Sequence, residues 1–194
     1  VVTENQKDSV MDFIKPFRLL WRRLNEQGLP VTLWWAAEHA VRIVTGAPME
    51  RVSRVVPGVH MGGQYRRRGW RRMAARGITA VVNLRAEFDD EAAGMAPAHY
   101  LHLPTPDDEA PTLEHLRQGA AFIADEVARG GQVYVHCGSG VGRAATMVAA
   151  YLVTTGLTPD EAWLCIRAAR PFVRPTAVQM EQVRRFEAED CASV

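Results

Sequence analysis

One run, Val133 to Arg143, limits the folds open to this chain more than any other. The β-branched and aromatic stretch Val133-Tyr134-Val135 ends in His136-Cys137. Five small residues follow (Gly138, Ser139, Gly140, Val141, Gly142), then Arg143 and an apolar helical stretch from Ala144 to Leu152. A strand that passes into a helix through a glycine-rich loop belongs to an α/β sheet, with the loop at the strand's C-terminal end. Successive backbone N–H groups in such a loop form a nest for an anion, and the helix N-terminus adds positive potential. The same field favours thiolate over thiol at Cys137. Arg143 closes the loop with a planar fork that matches two phosphate oxygens.

Other glycine-rich loops fail on single positions. A dinucleotide fingerprint requires a third glycine where Arg143 stands. A nucleotide P-loop requires Gly-Lys-Ser/Thr. A rhodanese-like sulfur carrier shares a cysteine loop but has no use for an upstream acid, and an inert buried cysteine needs neither the glycines nor the arginine.

His136-Cys137-x5-Arg143, with Gly140 at its centre, resembles the signature loop of the cysteine-dependent protein-tyrosine phosphatase superfamily. Gly140-Val141-Gly142-Arg143 is similar to the tyrosine-specific members, whereas size and element order look more like the dual-specificity branch. The resemblance covers roughly residues 52–189. It implies Cys137 as nucleophile, the 138–143 loop as phosphate cradle, Arg143 as clamp and His136 as a support that hydrogen-bonds loop backbone. It also implies an aspartic acid on a loop some thirty residues upstream as general acid. Leu103-Pro104-Thr105-Pro106-Asp107-Asp108-Glu109-Ala110-Pro111 supplies it: Asp107 aligns best through Pro106-Asp107, with Asp108 in reserve. The alternative is a solvated acidic turn before the helix at Thr112. One departure stands out. The family usually has Ser or Thr after the arginine, and this chain has Ala144, which implies slow breakdown of a phosphocysteine. Ser139 could substitute, while Thr146 falls on another helix face.

The resemblance implies no metal and no cofactor. Net charge is +1, which gives no global argument for a nucleic-acid partner, and none is expected. Cys137, Cys165 and Cys191 are too few and too scattered for a disulfide framework or zinc site. They suit a reducing compartment, so a cytoplasmic location is expected. Cys165 reads as core. No signal peptide or spanning helix is expected; the longest apolar stretch, Val31 to Val44, is interrupted by Glu38, His39 and Arg42.

Hydrophobic periodicity predicts helices over 9–26 and 31–44, broken at Gly28 and Pro30, with a join at Gly46-Ala47-Pro48. Residues 1–48 form a helical extension and 49–194 a catalytic domain. Strands are predicted near 52–56, 80–84, 99–103 and 132–136, with a short one possible at 59–61. Helices are predicted near 68–76, 113–129, 142–155, 159–169 and 176–188. The fold class is α/β, a mostly parallel central sheet of four to five strands with helices on both faces. The helix at 142–155 is apolar nearly all round and should be the buried central one.

In the first helix Met11, Phe13, Ile14, Phe17, Leu20, Trp21 and Leu24 form an apolar side, and Lys15, Arg18 and Arg22 line another. With Trp34 and Trp35 nearby, the extension is expected to pack on the catalytic domain or roof its active site, ahead of a peripheral contact with anionic lipid. The Arg66-Arg67-Arg68-Gly69-Trp70-Arg71-Arg72 run reads first as a solvated helix face. Arg85, at a strand end facing the loop, is a candidate supporting residue. The five variable loop positions carry no charge, which favours phosphotyrosine and phosphoserine/threonine or small phosphomonoesters. A phosphatidylglycerophosphate-type lipid phosphatase is the alternative, on the similarity of Val133–Cys137 and Ala145–Leu152 to that branch. A phosphate-binding pseudophosphatase is a third reading, supported by Ala144 alone.

Overall fold

A computed structural model describes residues 4–190, with side chains described from Leu24 onward. The apolar and basic sides expected before Leu24, and Cys191, lie outside the described side chains. In chain order the elements are α1 (Glu4–Thr45), β1 (Arg54–Val56), β2 (Val59–Gly63), α2 (Arg67–Ala75), β3 (Ala80–Arg85) and β4 (His99–Thr105). They continue with α3 (Leu113–Ala128), β5 (Val133–Cys137), α4 (Arg143–Thr154), α5 (Pro159–Ala169) and α6 (Ala177–Asp190).

The five strands form one sheet in the order β1-β2-β5-β3-β4, parallel except for the β1–β2 pair. β5 therefore sits at the centre, and its C-terminal end delivers Cys137 between β2 and β3. Alternation along β3 and β5 splits the core in two. Val82, Leu84, Val133 and Val135 join the large core under α3, α4, α5 and α6. Val81 and Tyr134 point the other way, toward Tyr65, Met73 and Ile78 around α2. Every residue of α4 from Arg143 to Val153 is buried, as the all-round apolar sequence requires.

Two expectations are corrected. The 52–56 strand is split, because Glu50–Val52 is a 3₁₀ turn whose Glu50 carbonyl accepts from both the amide and the hydroxyl of Ser53. Only Arg54–Val56 remains to pair. The short segment expected at 59–61 is a full strand that stays in register with β5 from Val59↔Val133 to Gly63↔Cys137. Its glycines hid it: Gly62 and Gly63 score poorly as strand formers.

The predicted break in the N-terminal helical region is real. Gly28 has φ 78° and ψ 167°, which kinks α1 and separates two helical runs. The second run packs on the catalytic unit with its sides reversed. Its buried arc carries Glu38 and Arg42, while Leu29, Leu33, Ile43 and Val44 are exposed. α5 begins with a capping box, Thr158 with Glu161, and Pro159 at its first turn.

Candidate active site

The loop after β5 owes its shape to its carbonyls. Those of Gly138, Ser139, Gly140 and Val141 are each taken by a donor outside the loop. Gln64 N–H donates to Gly138 at 3.0 Å and Arg174 N–H to Val141 at 2.7 Å. Arg170, fully buried, donates through Nη2 to Ser139 O at 3.3 Å and through Nε to Gly140 O at 2.8 Å. In a trans peptide the next N–H points opposite its carbonyl, so the amides of residues 139–142 turn toward the concave side. The Gly140 amide donates to Cys137 Sγ at 3.3 Å. Gly140 has φ +68°, and a Cβ there would sit 2.1 Å from the Gly62 carbonyl carbon. Only glycine fits.

Arg143 lies at the first turn of α4 with 2% exposure. Glu87 grips it as a bidentate fork, Nη1 to Oε2 at 2.8 Å and Nη2 to Oε1 at 3.0 Å. The Thr105 carbonyl accepts from Nη1 at 2.8 Å, and Asp107 Oδ1 lies 2.8 Å from Nη2. Nε is buried and has no hydrogen-bond partner among the described residues. A buried guanidinium N–H without an acceptor is costly, so this atom calls for an oxyanion. The Arg143 hydrogen bonds hold the Glu87 carboxyl down to about 2. Arg85, the sequence's supporting candidate, reaches the loop through Glu87: its Nε donates to Glu87 Oε1 at 2.9 Å and its Nη1 to Gln64 Oε1 at 2.8 Å.

His136 is sealed in the sheet rather than tied closely to the loop. Its Nε2 lies 2.7 Å from Asp90 Oδ2, both side chains fully buried, and its ring stacks on Tyr134. The backbone bond that the resemblance implied is a long one, Nδ1 to the Cys137 carbonyl at 3.4 Å. Asp90 also accepts from Gln64 Nε2 at 2.7 Å. The result is a rigid base under the cysteine.

Above the loop lies a cleft of about 580 Å³, lined by Cys137, Arg143, Asp107, Trp35, Arg174 and Gln179 among others. Asp107 is 79% exposed at its rim. Asp108 is bent into the left-handed region, φ +61°, which holds the acid segment in a sharp turn. Buried Gln179 steadies that turn by donating to the Glu109 carbonyl at 2.7 Å. Trp35 comes from α1, so the N-terminal helical region does reach the cleft. Arg174 also meets α1, through Glu26 Oε2 at 2.6 Å.

The structure thus brings Cys137, Arg143, Asp107 and residues 138–142 together. Ala144 is buried and presents no hydroxyl; Thr146 donates back to the Gly142 carbonyl at 3.1 Å, away from the sulfur. Ser139 is exposed on the loop. Cys165 is half-buried on α5 at the edge of the core. Among the described residues no three His, Cys, Asp or Glu side chains form a metal-ligand group. Sequence reasoning missed Glu87, Asp90, Gln179 and Arg170. Glu87 and Asp90 lie just past a strand end on the loop's side of the sheet, the same signal that marked Arg85.

The dual specificity phosphatase catalytic domain model matches residues 60–189. Dual specificity protein phosphatase 1 of Homo sapiens is 29% identical over 146 residues, 74% of this chain and 38% of that protein. The chain therefore spans well under half of that relative's length. Dual specificity protein phosphatase 22-B of Danio rerio is 30% identical over 138 residues, 70% of this chain and 74% of that protein. Among solved structures, PTPMT1 in complex with PI(5)P superposes with a TM-score of 0.66 at 29% identity, covering 72% of this chain and 96% of that one. With its cysteine, arginine and glycine loop in one nest, the chain belongs to the dual specificity phosphatase catalytic-domain family.

Proposed function

We propose that the protein hydrolyses phosphate monoesters through a phosphocysteine. The observation that carries this reading is the unpartnered Nε of Arg143, buried beside a loop whose amides face Cys137. A phosphoryl group in that nest accepts from the loop amides and Arg143 while Cys137 Sγ attacks phosphorus in line. Asp107 gives its proton to the leaving oxygen; its carboxylate then takes a proton from the water that releases phosphate and regenerates the thiolate. Glu87 and Arg85 orient Arg143, and the His136–Asp90 pair supports the loop. No metal takes part in these steps.

The substrates are phosphorylated proteins, with phosphotyrosine and phosphoserine/threonine side chains, or small phosphomonoesters. The open cleft and uncharged loop positions support this. A lipid phosphomonoester is the second reading, favoured by the likeness to PTPMT1, a protein solved with PI(5)P. A thiol nucleophile calls for a reducing compartment, and a cytoplasmic location completes the reading. The test is aryl phosphate hydrolysis in EDTA: turnover should persist in the native chain and vanish in Cys137→Ser. Activity that survives the substitution would remove Cys137 from the reaction.

A further inference from the structure

The second run of α1 is inside-out. Between Leu29 and Thr45 the inward arc holds Glu38 and Arg42, both buried, whereas the solvent arc is Leu29, Leu33, Ala36, Ala37, Ala40, Ile43 and Val44. At 100° per residue these seven positions fall within about 120° of one another, an unbroken stripe. Leu29 and Leu33 are each 59% exposed and Val44 75%. No charged side chain interrupts the stripe. A water-facing helix normally shows the opposite arrangement, so this face is shaped for an apolar environment.

What covers it is indicated by its flank. The C-terminal end of α1 abuts α2, where Arg68 donates to the Ile43 carbonyl and Arg66 N–H to the Gly46 carbonyl. α2 and its cap expose Arg66, Arg67, Arg68, Arg71 and Arg72. Among the described residues none of these five pairs with a carboxylate, whereas Arg76, beyond the helix, pairs with Glu50. Arg67, Arg68 and Arg71 line an open cleft of about 650 Å³ with Trp70 and Met95. An apolar stripe bordered by arginines without a carboxylate partner and by a tryptophan matches one kind of surface: acyl chains under anionic phosphate headgroups. No described helix is long and apolar enough to cross a membrane, and Glu38 and Arg42 are committed inward, so α1 would lie along the surface.

We infer that the outer face of α1, with the α2 arginines, docks the protein on an anionic bilayer. This goes beyond the proposed reaction and does not rest on it, since docking needs no turnover. The test is sedimentation of the full chain with phosphatidylcholine vesicles, with and without phosphatidylglycerol. The chain should pellet with the anionic vesicles, less so as salt rises, and stay in solution with phosphatidylcholine alone. Leu33→Asp with Val44→Asp, and separately Arg67→Glu with Arg71→Glu, should each weaken pelleting roughly tenfold or more. Ala36→Leu with Ala40→Leu, which enlarges the exposed stripe, should strengthen it. Circular dichroism and aryl phosphate turnover, read on every variant, keep misfolding and loss of the reaction apart from loss of docking. Failure to pellet with anionic vesicles, or pelleting indifferent to all three variants, overturns the inference. So does a dimer in light scattering that Leu33→Asp with Val44→Asp dissolves, which would assign the face to a second copy.

Discussion

The phosphate loop and the second run of α1 both keep charge away from water, but they are stabilised in opposite ways. In the loop, backbone forms the nest. Four carbonyls are held outward, the amides turn inward, and the one buried cation, Arg143, is gripped by a carboxylate fork and a carbonyl. In α1 the side chains do it. Glu38 Oε1 lies 3.3 Å from Arg42 Nε and 3.7 Å from Arg170 Nη2, close enough to pair though not aligned as hydrogen bonds. The two regions meet at Arg170, which faces Glu38 while donating to Ser139 and Gly140. A helix beyond the family match thus helps to hold the family's own loop. Buried charge is tolerated in both places because it is compensated, and it should be costly wherever one partner is removed.

The comparison can be broken first on the loop's side. Asp107→Asn removes the proposed proton donor without disturbing the nest, so turnover of an aryl phosphate should fall by roughly 10²–10⁴. A loss that depends on leaving-group basicity confirms the role; an equal loss for all leaving groups points to Asp108 or water instead. On the other side, Glu38→Ala leaves two buried guanidinium groups facing each other. Denaturant unfolding should show a loss of about 3–5 kcal/mol. A change below about 1 kcal/mol would mean that water reaches the cluster and that α1 is a mere appendage.

Glu87→Gln separates gripping from chemistry. Arg143 keeps its charge but loses its fork, so phosphate affinity should weaken by roughly tenfold to 10²-fold, read as KM and as inhibition by inorganic phosphate. The pH dependence follows from the depressed carboxyl. Glu87 is lowered from 4.5 to about 2, so its folded pKa lies below the unfolded one. Its stabilising contribution is complete above about pH 4.5 and is lost as pH falls toward 2. The stability gap between the native chain and Glu87→Gln should close over that window, and a gap independent of pH would argue against the fork. The smallest effect is expected at Ala144. Ala144→Ser supplies the hydroxyl that relatives usually carry after the arginine and should speed breakdown of the proposed phosphocysteine a few-fold, seen as a smaller pre-steady-state burst. An unchanged burst would show that the Gly140 amide already suffices.

Most of the fold was legible because its signals are local. The short β-branched, apolar runs of β3 and β5, the all-round apolar α4 and the Thr158–Glu161 box with Pro159 each report on neighbours a few residues away. Cys137, the glycines and Arg143 were legible for the same reason, since one contiguous run builds strand, nest and clamp. Asp107 was reached through a dipeptide that resembles the acid loop of relatives. Glu87, Asp90, Gln179 and Arg170 were not singled out, because their partners are remote: they lie 56, 46, 70 and 30 residues from the groups they support, at Arg143, His136, Glu109 and Gly140 in turn. β2 was half-legible, because its closing glycines exist to let Tyr134 and the loop approach.

By itself, then, the sequence determined the α/β layering, the kink at Gly28 and the cysteine–arginine nest, since each follows from residues that touch within a turn or a loop. Tertiary structure alone decided which carboxylates grip which arginines and which side of α1 faces inward. Periodicity places the apolar stripe of α1 on one side and Glu38 with Arg42 on the other. Which side is buried depends on whether a distant partner awaits the charges, and Arg170, more than a hundred residues further along the chain, is that partner.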